Sequence, residues 1–258
     1  MRIDRLRLLS PDLAGLVEFY RSVFGARVLQ SGVALGEERI EIAPAETPDR
    51  DEFAANETGF QHFAIVVADI DAAYAHLRGF GGWRPISLSG PERLPKASGR
   101  GAAFKFRDPE GHPLELLQFA LASVPPHWAA RIAAAPERLF HGLDHTALTV
   151  SDGEASRAFY ARLGLECAHR HTNAGVEQRR LDGFVDAPDV SVEILSLSPA
   201  DGARPRIELL AYRAPSAVSR SARDGAAAAT CMVISEGAGP ERPARDLDGH
   251  RLEIAAQG

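Results

Sequence analysis

Imidazole and carboxylate groups are the side chains in this chain best suited to hold a metal ion or to move protons. Nine histidines occur among 258 residues, and several stand in recurring surroundings. His62 lies in Phe60-Gln61-His62-Phe63-Ala64-Ile65-Val66-Val67-Ala68-Asp69, and His145 in Leu143-Asp144-His145-Thr146-Ala147-Leu148-Thr149-Val150-Ser151-Asp152. A second motif, Asp108-Pro109-Glu110-Gly111-His112-Pro113-Leu114-Glu115, returns 138 residues later as Asp246-Leu247-Asp248-Gly249-His250-Arg251-Leu252-Glu253. Neutral imidazole and carboxylate together suit Zn²⁺, Fe²⁺, Mn²⁺, Co²⁺ or Ni²⁺. His112 and His250 precede the last strands and read as turn residues. Cys167 and Cys231, the only cysteines, are too few for a disulfide framework or a Cys-rich zinc site. They fit a reducing compartment and lead us to expect a cytoplasmic protein.

The elements that must position these residues repeat as well. Ile3–Asp12 and Leu143–Asp152 both alternate apolar and polar residues and then reach Ser-x-Asp, the pattern of a strand ending at a helix N-cap. They lie 140 residues apart, as do Phe19-Tyr20 and Phe159-Tyr160, which read as core residues of the helices that follow. Each helix stops near a glycine, Gly25 or Gly164. Two independent motifs at nearly one offset indicate a tandem duplication. The stretch 60–69 repeats the opening pattern inside the first half, followed by a helix to Leu77. Units therefore run over about 3–43, 60–119 and 143–212. The fourth is shortened: Glu253 lies 23 residues after Thr230, whereas Glu115 lies 53 after His62. Ser235–Pro240 stand where the other units have a helix. We expect a first half over 1–120, a linker over 121–141 containing Pro125-Pro126, and a second half over 142–258.

Composition narrows the function classes. With 45% hydrophobic and 25% charged residues, the chain reads as soluble and globular. A net charge of -6 argues against a general nucleic-acid binder, which needs a basic field. No apolar run approaches the ~20 residues that span a bilayer, and the charged start lacks an apolar signal core.

The strand–Ser-x-Asp–Phe-Tyr openings, the Asp108–Glu115 motif and the four-unit layout together resemble the vicinal oxygen chelate superfamily. That superfamily includes glyoxalases, extradiol dioxygenases, fosfomycin-modifying enzymes and bleomycin-binding proteins. The resemblance implies an α+β fold of four βαβββ-type units, the fourth truncated, forming two curled, mixed β-sheet cups. It also implies metal ligands on the first and last strand of each unit. Those positions hold Arg5 and Glu41 in unit one, His62 and Glu115 in unit two, His145 and Glu208 in unit three, and Thr230 and Glu253 in unit four. Pairing units two with three would gather His62, Glu115, His145 and Glu208 in one cup and leave Arg5, Glu41, Thr230 and Glu253 in the other. Sequential pairing would give two incomplete cups, and the first arrangement is favoured. Arg5 argues against metal in its cup, where its cation would pair with Glu41 or Glu253.

The resemblance implies a metal-dependent enzyme acting on a small oxygenated molecule by glyoxalase-like isomerase or lyase chemistry, with Glu115 and Glu208 as catalytic carboxylates. If one glutamate does not bind, two histidines and one carboxylate form the facial arrangement of Fe²⁺ oxygen chemistry, and an extradiol ring-cleaving dioxygenase becomes the alternative. A metal-free binding or resistance protein is the other. The expected partner is a small-molecule substrate, with no nucleic acid or membrane, and the chain is expected to act as a monomer or homodimer.

Overall fold

A computed structural model describes residues 2–95, 99–223, 225–235 and 242–255. Unit one comprises β1 (Arg2–Ser10), α1 (Leu13–Phe24), β2 (Arg27–Leu29), β3 (Gly32–Leu35) and β4 (Glu38–Pro44), followed by β5 (Thr47–Arg50). Unit two comprises β6 (Gln61–Val67), α2 (Ile70–Leu77), β7 (Arg84–Pro85), β8 (Glu92–Arg93), β9 (Ala102–Arg107) and β10 (Pro113–Gln118). A 3₁₀ turn and α3 (Pro126–Ala134) follow. Unit three contains β11 (Phe140–Thr149), α4 (Gly153–Arg162), β12 (Leu165–Ala174), α5 (Val176–Leu181), β13 (Ser191–Pro199) and β14 (Arg206–Ala214). After β15 (Ala226–Ala227), unit four supplies β16 (Thr230–Ser235), β17 (Arg242–Arg245) and β18 (Arg251–Ala255). It shows no helix among the described residues; 236–240, all but Ser235 of the segment read as replacing that helix, lie outside them.

The helix signals act as read. Asp12, Asp69 and Asp152 each accept backbone N–H bonds from the first turn of α1, α2 and α4, satisfying donors that have no partner within the helix. Gly25 ends α1 in the left-handed conformation, φ 63°, which a residue without Cβ adopts at no steric cost.

The strands assemble into two large mixed sheets, and β5 and β15 pair in a two-stranded sheet of their own. The seven-stranded sheet runs β17-β18-β16-β1-β4-β3-β2, joining units one and four. The nine-stranded sheet runs β12-β13-β14-β11-β6-β10-β9-β7, with β8 beside β9, joining units two and three. This is the favoured pairing. Strand alternation gives each sheet two characters. Phe63, Ile65 and Val67 of β6 enter the main apolar core with Leu6, Leu8, Tyr20, Ile207 and Leu209, while His62, Ala64 and Val66 belong to the opposite face.

The recurring Tyr and Asp-x-x-Gly-His motifs turn out to be one joint. The buried Tyr20 hydroxyl donates to Asp108 Oδ2 at 3.1 Å, and the Tyr160 hydroxyl to Asp246 Oδ2 at 2.9 Å. Asp108 Oδ1 also accepts the backbone N–H groups of Glu110, Gly111 and His112, closing the turn. Each half thus locks its two units together although their strands enter different sheets. His112 and His250 are buried turn residues, with His112 Nδ1 at 2.9 Å from Asp108 Oδ2.

Candidate metal centre

β6 and β11 run antiparallel at the centre of the nine-stranded sheet, with Ala147 opposite His62 and Ala64 opposite His145. β10 lies parallel to β6 with Glu115 beside Ala64, and β14 parallel to β11 with Glu208 beside Ala147. In each pair the glutamate therefore sits level with the residue two beyond the histidine, on the same face. This register brings ligand atoms of His62, Glu115 and His145 within 4.8 Å of one another, all three side chains buried. The imidazole rings meet edge to face with centroids 5.8 Å apart.

Glu208 approaches the same place and is held differently. Its Oε2 lies 3.5 Å from His145 Nε2. Its Oε1 accepts from the Ser196 hydroxyl at 2.9 Å and pairs with Arg206 at 3.1 Å. Of the four residues expected to converge, three form the mutually close set and the fourth stands against His145, tethered from behind.

The surroundings set protonation. Asp144, fully buried, lies 3.0 Å from His145 Nδ1 and accepts from Trp128 Nε1 at 2.7 Å and from Arg206 at 2.7 and 2.9 Å. A carboxylate only accepts, so Nδ1 carries the proton and Nε2 is left to face the cavity. Burial opposes charge on both groups. Glu208 and Asp144 nevertheless raise the His145 pKa, and Arg206, His145 and Arg204 hold Asp144 well below the usual carboxylate range. Burial and the nearby Lys105 ammonium push His62 down to about 4, so it is neutral at pH 7. Burial would raise Glu115, but His62 at 3.0 Å and Lys105 at 3.9 Å outweigh it and hold the carboxyl at about 2. Neither ring nitrogen of His62 has an aligned hydrogen-bond partner, although Nε2 is 3.0 Å from Glu115 Oε2. A buried neutral imidazole whose nitrogens lack an aligned partner, 3.0 Å from an ionised carboxylate, fits a shared cation.

The group opens into a cavity of about 240 Å³. Leu117, Ile194 and Leu210 line it with apolar surface, and Lys105, Gln178 and His171 add polar groups that the sequence reading did not single out. Lys105 had a legible signal, a lone cation alternating with phenylalanines in Phe104-Lys105-Phe106. Asp144 and Trp128 had less. The segment read as a linker folds into α3, whose buried Trp128 props the carboxylate that orients His145.

The seven-stranded sheet carries a different set. Arg5 pairs with Glu41, as expected of it, and Arg7 pairs with both Glu41 and Glu253. Glu253 sits level with Val233, so the position equivalent to His62 and His145 is Cys231, two residues earlier. Thr230, the expected residue, lies one place before Cys231 and points to the other face.

Residues 2–116 and 142–254 match the family model described as the Glyoxalase/Bleomycin resistance protein/Dioxygenase superfamily. No curated protein matches the chain. Among solved structures, glyoxalase I from Zea mays superposes with a TM-score of 0.63 at 18% identity, covering 99% of this chain and 92% of that one. A variant of the same enzyme gives 0.66 at the same identity and coverage. A putative dioxygenase from Bacillus subtilis gives 0.56 at 14% identity, covering 99% and 85%. At these identities the likeness is one of fold.

Proposed function

Because the chain belongs to the Glyoxalase/Bleomycin resistance protein/Dioxygenase superfamily, we propose that it is a metal-dependent enzyme acting on a small oxygenated molecule, with glyoxalase-like isomerase or lyase chemistry. The observation that carries the reading is the convergence of His62, Glu115 and His145 on one cavity. These three would hold a divalent transition metal, which would polarise a substrate oxygen and stabilise the charge developing there. Glu208 is the proposed base. Its Oε1 is fixed by Ser196 and Arg206, and His145 and Arg206 keep it ionised against the effect of burial, so Oε2 is ready to accept a proton. Glu115 combines ligation with negative charge beside the reacting centre. Leu117, Ile194 and Leu210 present apolar surface around it. The proposed partner is the small-molecule substrate. Cys167 and Cys231 are not joined in a disulfide, in keeping with the cytoplasmic location proposed with it.

One observation favours a second reading. The close set is two histidines and one carboxylate, the ligand set of Fe²⁺ oxygen chemistry, with Glu208 drawn aside by Arg206. Metal analysis of protein purified without added metal tests both readings. It is followed by assays of α-hydroxycarbonyl compounds without oxygen and of catechols with oxygen-uptake measurement. Anaerobic isomerisation or cleavage that Glu208→Gln abolishes supports the first reading, and iron-dependent oxygen uptake supports the second. Full-length protein that takes up no metal overturns both and leaves metal-free binding.

A further inference from the structure

Beside the metal group lies a second buried polar cluster. Lys105 on β9 is 3% exposed and lines the cavity. Its ammonium has three N–H bonds to place, and it makes one hydrogen bond, 2.7 Å to Asp182 Oδ1. Glu115 Oε2, at 3.9 Å, is an ion-pair partner beyond hydrogen-bond reach. Asp182 follows α5 and is also 3% exposed. Its Oδ2 accepts from Gln178 Nε2 and from the Tyr212 hydroxyl, each at 2.7 Å. A carboxylate has no hydrogen to give, so this contact fixes the Gln178 amide with its NH₂ toward Asp182. The remaining atom, Gln178 Oε1, is buried with no partner, although the side chain lines the cavity. One carboxylate thus anchors a cation with donors to spare and an amide with an acceptor to spare. Both are costly when left unmet in a buried wall.

We propose that Lys105 and Gln178 form a recognition subsite for a small acid that carries an anionic oxygen and, next to it, an O–H or N–H donor. The anionic oxygen meets the Lys105 ammonium and the donor meets Gln178 Oε1. Hydroxy acids and their enolates are the simplest compounds of this class. The subsite rests on the enzymatic reading for its place beside the reacting centre, but its chemistry belongs to residues outside the metal group.

The test uses metal-free protein, so that no ligand is held through a metal, and three probes followed by ligand-observed NMR titration. Lactate has both features, propionate lacks the donor and lactamide lacks the charge. Wild type is expected to bind lactate about tenfold more tightly than either analogue, the effect of one buried polar group left unmet. Gln178→Met should remove the preference for lactate over propionate and keep that over lactamide. Lys105→Met should remove the preference over lactamide. The double variant Lys105→Met/Asp182→Asn repeats that test without leaving Asp182 as an uncompensated buried charge. Equal affinity of wild type for all three probes, no binding of lactate, or a lactamide discrimination that survives in the folded double variant overturns the proposal. Metal titration of the same wild-type sample reads the enzymatic proposal separately: it fails on absent metal uptake, the subsite on absent probe discrimination.

Discussion

His145 is the residue on which most of the site's electrostatics meet. Asp144 fixes its tautomer, Glu208 faces its Nε2, and both favour its protonated form. Replacing it with Ala would remove one of the three proposed ligands outright, so metal affinity should drop by more than the roughly 10–100-fold typical of losing an outer-shell partner. Far-UV circular dichroism should remain native, since burial rather than metal dominates stability at this size. The two histidines also predict a pH dependence. His62, at about 4, stays neutral through the neutral range and does not compete with metal there. His145, raised above its ordinary 6.5, holds a proton that metal must displace. Apparent affinity should therefore weaken as pH falls through the His145 titration and level off above it, with up to one proton released per metal bound. Calorimetry in buffers of different ionisation enthalpy would check this, and pH-independent affinity between pH 6 and 8 would contradict it.

At the scale of elements, α3 and the Tyr–Asp joints do separate work. The Trp128 indole of α3 donates to Asp144. Trp128→Phe should lower metal affinity by about tenfold, the low end for an outer-shell change, as Asp144 keeps Arg206 and His145. Competition with a chelating dye would measure it. Tyr20 does not line the cavity, and its hydroxyl ties unit one to Asp108 of unit two. Tyr20→Phe should cost about 0.5–1.5 kcal/mol, one net hydrogen bond, read by urea denaturation, and should leave metal affinity unchanged. Equal effects of both substitutions on metal binding would show that the two devices are not separate. The strand alternation around His62 and the Asp N-caps were legible in sequence because each depends on neighbours within a few residues. The roles of Trp128 and Asp144 were not, because their contact is made by packing α3 against β11.

At the scale of the molecule, the duplication places the His62, Glu115 and His145 group on one sheet and arginine ion pairs on the other. Arg7 bridges Glu41 and Glu253 where the other sheet brings imidazole to carboxylate. A guanidinium is a fixed cation and no metal ligand, so metal titration should saturate at one equivalent per chain. Glu41→Gln should leave that stoichiometry unchanged. Saturation at two equivalents, with one lost in Glu41→Gln, would assign a second centre to the seven-stranded sheet.

The sequence by itself determined the four-unit repeat and the shortening of the fourth unit, which follow from periodicity and spacing, properties of the chain. The α+β class and the ligand positions on each opening and closing strand came with the family resemblance that those motifs carry. Which units share a sheet was decided by tertiary structure, since β6 and β11 are joined by hydrogen bonds across a long separation in sequence. Register then put Cys231 rather than Thr230 opposite Arg7, because a shift of one residue moves a side chain to the other face. The position of Glu208 was likewise settled only in three dimensions. Like Glu115 it follows an apolar residue and precedes Leu-Leu, but Ser196 and Arg206 hold one of its oxygens, whereas Glu115 is left to His62 and Lys105. Competing partners such as these come from different strands, and strand order alone brings them within reach.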